Sequence, residues 1–180
     1  MKTPILKLLT LSLILISLTS CELWDTAPNF DVEEVEGYRP IYATESEIAI
    51  KTLSAREIED PGKIYVINDY LLLVDILKGI HVFDNENPEN PQNIGFIQIT
   101  GSNDVAVRDN ILYADQATDL LAIDISNPEN VKLASRVKGV FPFGMQYPQQ
   151  QGFYFECPDP EKGIVVGWEL TTLQSPKCYR

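Results

Sequence analysis

The sequence predicts an all-β fold built from tandem units of about forty residues. The tetrapeptide Asn87-Pro88-Glu89-Asn90 recurs 40 positions later as Asn127-Pro128-Glu129-Asn130. In each unit, short runs of β-branched, aliphatic and aromatic residues alternate with turn residues, which favours strands over helices. Four short strands in about forty residues is the size of one propeller blade. We therefore expect a propeller-like array of about three four-stranded antiparallel blades, incomplete or atypical as a propeller, after a cleaved signal peptide.

The N-terminal segment has the layout of a secretory leader. Lys2 and Lys7 precede an apolar run, interrupted only by Ser and Thr, that ends at Leu18. A membrane-spanning helix needs about 20 mainly apolar residues, and this run is shorter. Leu18-Thr19-Ser20-Cys21 resembles the lipobox of bacterial lipoproteins, in which the leader is cut before the cysteine that carries the lipid. The resemblance makes residues 1–20 a lipoprotein signal peptide and Cys21 the lipidated N-terminus, with an ordinary signal peptide as the alternative.

Residues 21–37 are rich in acidic and poor in apolar side chains. This composition predicts a flexible acidic tether, followed by a repeat domain over residues 38–180. Glu22, rather than Asp, follows Cys21, and by resemblance to other lipoproteins this fits export to the outer membrane. We expect a lipid-anchored protein of the cell envelope, at the periplasmic face of the outer membrane or at the cell surface.

The charge balance excludes some partners. The formal net charge is −12, and loss of Lys2 and Lys7 with the leader leaves 12 basic and 26 acidic residues, a net charge of −14. Such a surface repels nucleic acid and anionic lipid headgroups, so we expect no nucleic-acid partner and membrane contact only through the lipid. The hydrophobic content of 44% is enough to fill the core of one domain.

The cysteines agree with export. With Cys21 assigned to the lipid, Cys157 and Cys178 remain, an even pair in an oxidising compartment. We expect a disulfide between them. Two free thiols and an intermolecular bridge are the alternatives.

The strands of two complete units can be placed along the chain. In the unit over about 62–101 we expect strands at 63–68, 71–75, 79–84 and 93–99. In the unit over 102–141 we expect them at 104–108, 111–114, 120–124 and 132–137. A constant offset of 40 matches Asp75 to Asp115 and Asp84 to Asp124. Asp84 and Asp124 precede the Asn-Pro turns and are expected to cap them through backbone amides, with calcium binding as the alternative.

The flanking segments are less regular. A degraded third unit is expected over 142–180, with strands near 152–157 and 163–168. Upstream, residues 47–53 have alternating character, and the segment 56–62 is expected to occupy the position of a fourth strand from a preceding partial blade.

The two complete units resemble LVIVD repeats, a family named for an aliphatic stretch that ends in Asp. The resemblance lies in Leu71-Leu72-Leu73-Val74-Asp75 with 79–84 after it, and in Ile111-Leu112-Tyr113-Ala114-Asp115 with 120–128 after it. It covers about residues 61–137. It implies a β-propeller-like fold on a secreted or lipid-anchored bacterial protein, and it supplies no catalytic residues.

Three blades are fewer than the four to eight that usually close a propeller, so strand edges remain to be covered. We favour a self-contained arrangement, because the expected disulfide and the degraded last unit suit a terminal cap. Self-association through blade edges and a larger envelope partner are the alternatives.

Few residues suggest a catalytic or ligand-binding role. The lone His81 alternates with apolar neighbours and is expected to be a structural or surface residue. We find no nucleophile elbow or phosphate-binding loop, so we expect no enzyme activity, no cofactor and no metal. The candidate binding loop comprises Phe141, Phe143, Met145 and Tyr147, because exposed aromatic and Met side chains are good contact residues. Packing of these side chains in the core is the alternative.

The function expected from the sequence is that of a noncatalytic binding or assembly module for an envelope protein or glycan. The first alternative is an exported hydrolase whose acidic loops bind a metal or glycan. The second is a structural spacer at the membrane.

Overall fold

The computed structural model describes residues 28–141 and 147–180. These residues form thirteen strands in three sheets and one 3₁₀ turn at Pro160–Lys162, so the expected all-β class is confirmed. None of the described segments is a helix long and apolar enough to cross a membrane. The expected signal peptide, Cys21 and most of the expected tether lie outside the described residues.

The first complete unit forms a five-stranded sheet in the order β2-β6-β5-β4-β3. Four of its strands lie where the repeat predicts them: β3 (Pro61–Ile67), β4 (Tyr70–Asp75), β5 (Gly79–Asp84) and β6 (Gln92–Gln98).

The fifth strand of this sheet corrects the expectation of a preceding partial blade. The strand β2 (Lys51–Leu53) pairs with the end of β6, and no strand covers residues 54–60. The Gln98 side chain donates to the carbonyl oxygens of Glu47 and Ala49 at 3.0 and 3.2 Å. These bonds hold the upstream segment against β6, so it extends the first blade instead of starting another.

The second complete unit forms a four-stranded sheet in the order β10-β9-β8-β7. Its strands are β7 (Val105–Arg108), β8 (Ile111–Gln116), β9 (Asp119–Asp124) and β10 (Lys132–Val137). Both units carry a bulge at the same place, opposite Phe83 in the first and opposite Ile123 in the second. The repeat of 40 residues is therefore exact in the second half of each unit.

The first half of each unit follows a different offset. Ile67 pairs with Tyr70 across the first hairpin, and Arg108 pairs with Ile111 across its counterpart, an offset of 41. The extra position arises because three residues connect β4 to β5 and only two connect β8 to β9. Asp75 therefore occupies the position of Gln116 and not that of Asp115. Since a slip of one residue moves a side chain to the other face of a sheet, a constant offset of 40 misassigns the faces of β4 and β8.

The two repeat sheets pack face to face around one apolar core. It is formed by one face of each sheet: Leu72, Val74, Ile80, Val82, Ile97 and Ile99 from the first unit, and Val105, Leu112, Ala114, Leu121, Ile123 and Ile125 from the second and its margin. All are buried. Each large member contributes about 1.5 to 3 kcal/mol by leaving water, so this interface is the main source of stability for the pair of blades.

The third sheet is built from both ends of the described chain, in the order β12-β1-β11-β13. Its strands are β1 (Glu34–Ala43), β11 (Tyr154–Phe155), β12 (Ile164–Gln174) and β13 (Cys178–Tyr179). The strand β1 lies between β11, to which it is parallel, and β12, to which it is antiparallel. The expected degraded unit is thus completed by an N-terminal strand, which begins at Glu34 within the segment expected to be tether.

Two residues of β1 suit its central position. A side chain at Gly37 would collide with the carbonyl oxygen of Tyr154 and with Leu173, so the close approach of β1 and β11 requires glycine there. Pro40, which has no amide hydrogen, lies beyond the two residues of β1 that pair with β11. The absence of an amide hydrogen at Pro40 therefore costs no hydrogen bond between β1 and β11.

The expected disulfide is present between Cys157 and Cys178, with 5.4 Å between their Cα atoms. It joins the residue next to β11 to the first residue of β13. It therefore reinforces a pairing of only two residues on each strand.

Candidate functional site

The candidate binding loop is described only at its two ends. Phe143 and Met145 lie outside the described residues, whereas Phe141 and Tyr147 are each 39% exposed. The amide of Phe141 donates to the carbonyl oxygen of Thr118 at 2.9 Å, which attaches this end of the loop to the β8–β9 turn. Each aromatic ring borders a separate cleft.

The first cleft, which we call the blade cleft, lies on the face of the second repeat sheet that is turned away from the first. It has a volume of about 400 Å³ and is lined mainly by Tyr113, Leu120 and Phe141, with Asp104, Asp115 and Gln149 among its polar members. Register explains why this face is open. Tyr113 and Leu120 occupy the positions of Leu72 and Ile80, which are buried against the neighbouring sheet, whereas Tyr113 is 39% exposed.

The second cleft, which we call the proline cleft, lies between the β8–β9 turn and the third sheet. It has a volume of about 490 Å³, and its lining includes Tyr147, Pro158, Pro160, Ile164 and Val165, with Asp159 as its charged member. Ala117 and Thr118 also line it, and Ala117 lines the blade cleft as well. The β8–β9 turn therefore contributes to the lining of both clefts.

The walls of the proline cleft are held by specific contacts. The amide of Asp159 donates to the Tyr42 hydroxyl at 2.8 Å, and the Asp159 carboxylate accepts from the amide of Glu161 at 3.0 Å. The Tyr147 ring packs edge-on against Phe155, and the Arg180 guanidinium lies 5.7 Å from its centroid. These contacts preorganise the aromatic wall, which lowers the entropy lost when a ligand binds.

Asp115, at the margin of the blade cleft, has a structural role. Its Oδ1 accepts from the amides of Asn103 and Asp104 at 3.0 Å and from the Ser102 hydroxyl at 3.1 Å. These bonds fix the segment that leads into β7.

His81 and Asp75 form a buried pair in the first sheet. His81 Nε2 lies 3.0 Å from Asp75 Oδ2, and the amides of Glu59 and Asp60 donate to the same carboxylate. Both side chains are fully buried, so this arrangement is structural, in agreement with one of the two expected roles of His81. Sequence reasoning missed the pairing, although the β4–β5 hairpin register places Leu73 opposite His81 and Asp75 two residues further on the same face.

The second sheet has a different polar network at the equivalent position. Arg136 donates to the Gln116 side-chain oxygen at 2.6 Å and to an Asp119 carboxylate oxygen at 2.9 Å. The Gln116 amide nitrogen donates to the carbonyl oxygen of Ile48 at 2.9 Å. Burial alone would raise the pKa of Asp119, but the hydrogen bond from Arg136 and the amide of Gly139 outweigh it and hold the pKa below its usual value. The network ties the sheet to the upstream segment.

The turn aspartates take the capping role expected of them. Asp84 accepts from the amide of Glu86 at 3.0 Å, and Asp124 accepts from the amide and hydroxyl of Ser126 at 2.9 and 2.6 Å. Asn87 and Asn127 then accept from the amides two residues further on. The same bonds recur at an offset of 40, so the two Asn-Pro turns have the same conformation.

Among the described residues, no cluster of three or more His, Cys, Asp or Glu side chains has the arrangement of a metal site.

Comparison with known proteins agrees with this repeat. The model of the LVIVD repeat family matches residues 101–138, which contain all four strands of the second sheet. No curated protein and no solved structure matches the chain. The match coincides with one complete sheet, from the segment fixed by Asp115 to the end of β10. Residues 101–138 of this chain therefore match the LVIVD repeat family.

Proposed function

We propose that this protein is anchored in the bacterial outer membrane by a lipid on Cys21 and serves there as a noncatalytic binding module for another envelope protein. The observation that carries the binding role is the pair of clefts beside the β8–β9 turn, each bordered by an exposed aromatic ring of the candidate loop. Aromatic residues in preorganised clefts supply most of the energy in many protein interfaces.

The chemistry of the clefts favours a particular kind of partner. Their linings are mainly apolar, and their charged members are acidic: Asp159, Asp115, and Asp104, which is paired with Lys63. The whole chain has a net charge of −12. A protein segment with apolar side chains flanked by Lys or Arg would complement both properties.

The position of β1 supports anchoring close to the membrane. Thirteen positions separate Cys21 from Glu34, where β1 begins. A fully extended segment of that length reaches about 45 Å at most. The partner is therefore expected within the same envelope layer.

The binding role is tested by pull-down from detergent-solubilised envelope, with the wild type and the variants Tyr113→Ala and Tyr147→Ala as baits. We expect the wild type to retain a stoichiometric protein partner and both variants to lose most of it. Leu133→Ala is the control, because Leu133 is exposed on β10 and lines neither cleft. Equal recovery with all four baits would contradict a binding role for the clefts.

Other outcomes would support the alternative functions. Metal-dependent turnover on a glycan panel, lost on mutation of acidic residues, would indicate an exported hydrolase. Retention of a glycan without turnover would change the class of ligand. The absence of any ligand, with tolerance of both tyrosine variants in cells, would indicate a spacer.

The anchor is tested separately by metabolic labelling with palmitate. We expect the wild type to be labelled and Cys21→Ala to be unlabelled and released from membranes. A Cys21→Ala variant that stays embedded would overturn lipid anchoring.

A further inference from the structure

The described sheets end in six edge strands, and five of them are poorly suited to pairing with another strand. Three are short: β2 has three residues, β13 has two and β7 has four. The strand β3 starts at Pro61 and has an irregular register after it, and β10 is bulged and carries Lys132 and Arg136. Shortness, proline, bulges and basic residues are the devices by which proteins block edge-to-edge pairing.

The sixth edge, β12, has few of these features. It extends over eleven residues, Ile164–Gln174, and pairs with β1 on one side only. Its irregularity lies near Val166, and the register from Gly167 to Gln174 is continuous. Within that stretch Glu169 is the sole charged residue, and it lies 3.6 Å from Arg39.

The available part of this edge is its C-terminal half. Gly167 lies against the Leu77 side chain, and Val166 lies against Gly101 of the repeat sheets. Further along, Leu170 is 53% exposed and Thr172 is exposed, whereas Thr171 is half-buried. This half of β12 therefore offers unpaired backbone groups and an exposed apolar side chain together.

We propose that a second copy of this chain pairs with β12 through the same strand, antiparallel, about a two-fold axis at Leu170 or Thr171. The pairing would join two four-stranded sheets into one of eight strands. Such an axis stands perpendicular to the sheet and lies midway between the two copies of one residue, because residues opposite each other in an antiparallel pair share a face.

The composition of the strand favours a second copy over an unrelated partner. With the axis at Thr171, that residue lies opposite its own copy and Leu170 lies opposite Thr172, and pairs of this kind are stabilising. Glu169 then lies opposite Leu173. With the axis at Leu170, Glu169 lies opposite Thr171. The two Glu169 side chains face each other only if the axis lies at Glu169, so neither proposed register places like charges opposite each other.

The association is expected to be weak and dependent on salt. Pairing of about eight residues from each copy buries less surface than a standard interface, so we expect a Kd on the order of 100 µM. Each copy carries a net charge of −12, and screening of their repulsion strengthens the pairing as salt rises. Binding of a basic partner in the clefts would weaken with salt, so the two associations are distinguishable.

Cysteine cross-linking of the purified full chain tests the proposal without any partner protein. We expect Leu170→Cys or Thr171→Cys to give a disulfide-linked dimer about tenfold more abundant than Ser135→Cys, which places a thiol on the β10 edge. Cross-linking no greater than that of Ser135→Cys would overturn the proposal.

A charge variant gives a second, independent measurement. With the axis at Thr171, Thr171→Lys places two ammonium groups opposite each other, and we expect the self-association constant from sedimentation to fall at least tenfold. With the axis at Leu170, each ammonium group lies opposite Glu169 of the other copy, and we expect the constant to rise. Ser135→Lys on the exposed β10 edge is the matched control and should leave association unchanged. An unchanged constant in Thr171→Lys would also overturn the proposal, and circular dichroism confirms that both variants retain the fold.

Discussion

The imidazole of His81 bonds to the carboxylate of Asp75 at 3.0 Å in a fully buried position beneath the segment of residues 54–60. The same carboxylate accepts from the amides of Glu59 and Asp60. One acidic side chain thus joins the β4–β5 hairpin to the segment that covers it. The energetic consequence of this pair can be measured.

Loss of the Asp75 charge is expected to destabilise the protein at neutral pH. Asp75→Asn removes the charge of a buried carboxylate that is hydrogen-bonded to His81 and to the amides of Glu59 and Asp60, and we expect a loss of about 3 kcal/mol in the free energy of unfolding. Urea denaturation at pH 7 measures it. Asp69→Asn is the control, because Asp69 is exposed on the neighbouring turn, and its change should be below about 0.5 kcal/mol.

The same pair is expected to make stability depend on acid. Burial alone would raise the pKa of Asp75, but hydrogen bonds from His81, Asp60 and Glu59 hold the pKa below its usual value. A lowered pKa contributes stability that is present above the unfolded-state value of about 3.9 and is lost as pH falls through the folded-state value. Urea denaturation between pH 7 and pH 3 should show a loss of stability below about pH 4, with a smaller slope in Asp75→Asn. Equal slopes would show that other carboxyl groups cause the acid dependence.

Removal of the Cys157–Cys178 disulfide is expected to lower stability. The bond closes a loop with a sequence separation of 21, for which chain entropy gives about 3 kcal/mol. Thermal unfolding of the Cys157→Ala/Cys178→Ala variant should show a lower Tm than the oxidised wild type. The reduced wild type should match the variant, and a Tm insensitive to reduction would argue against this role.

The polar network of the second sheet is expected to depend on the Arg136 side chain. Arg136→Met leaves the Gln116 oxygen and the Asp119 carboxylate without their common donor, which is expected to cost about 2 kcal/mol. Chemical denaturation compares it with Arg108→Met. Arg108 is highly exposed and lies 3.9 Å from Asp109, so its replacement should change stability little. Similar values for the two variants would mean that the network contributes nothing measurable.

The position of β1 in the third sheet is expected to be sensitive at Gly37. Gly37→Ala introduces a methyl group where the Tyr154 carbonyl oxygen and Leu173 already lie, so we expect a loss of at least about 2 kcal/mol. Gly95→Ala is the control, because the nearest atom to its added Cβ would be the Leu53 carbonyl oxygen at an ordinary 3.5 Å. Denaturation curves for both variants measure the difference, and equal stability would contradict the central placement of β1.

The sequence predicts the repeat sheets well because their signals are local. Alternating apolar residues and Asn-Pro turns act within a few positions, and the strands that they predict agree with β3 to β10 within about two residues. The disulfide was also predictable, because Cys157 and Cys178 are the pair that remains after Cys21 is assigned to the lipid. Among site residues, the aromatic character of Phe141 and Tyr147 was visible, but the separate clefts that they border were not.

Other features depend on contacts between distant parts of the chain. The β8–β9 connection is one residue shorter than the β4–β5 connection. An alignment of the two units with a constant offset of 40 hides this difference, and it assigns the side chains of β4 and β8 to the wrong faces of their sheets. Nothing local to residues 34–43 indicates that β1 enters a sheet formed by the last thirty residues. The pairing of His81 with Asp75 follows from the register of the β4–β5 hairpin. The alternation of residues along a single strand does not specify that register.

By itself, the sequence determined the all-β class, the two forty-residue units, their capped turns and the cysteine pairing, because these depend on residue type and spacing along the chain. Only the tertiary structure decided which face of each sheet is buried, where the two ends meet, and which side chains border the clefts. Those outcomes depend on strand register and sheet packing, in which a shift of one residue exchanges the inner and outer faces without changing the local pattern.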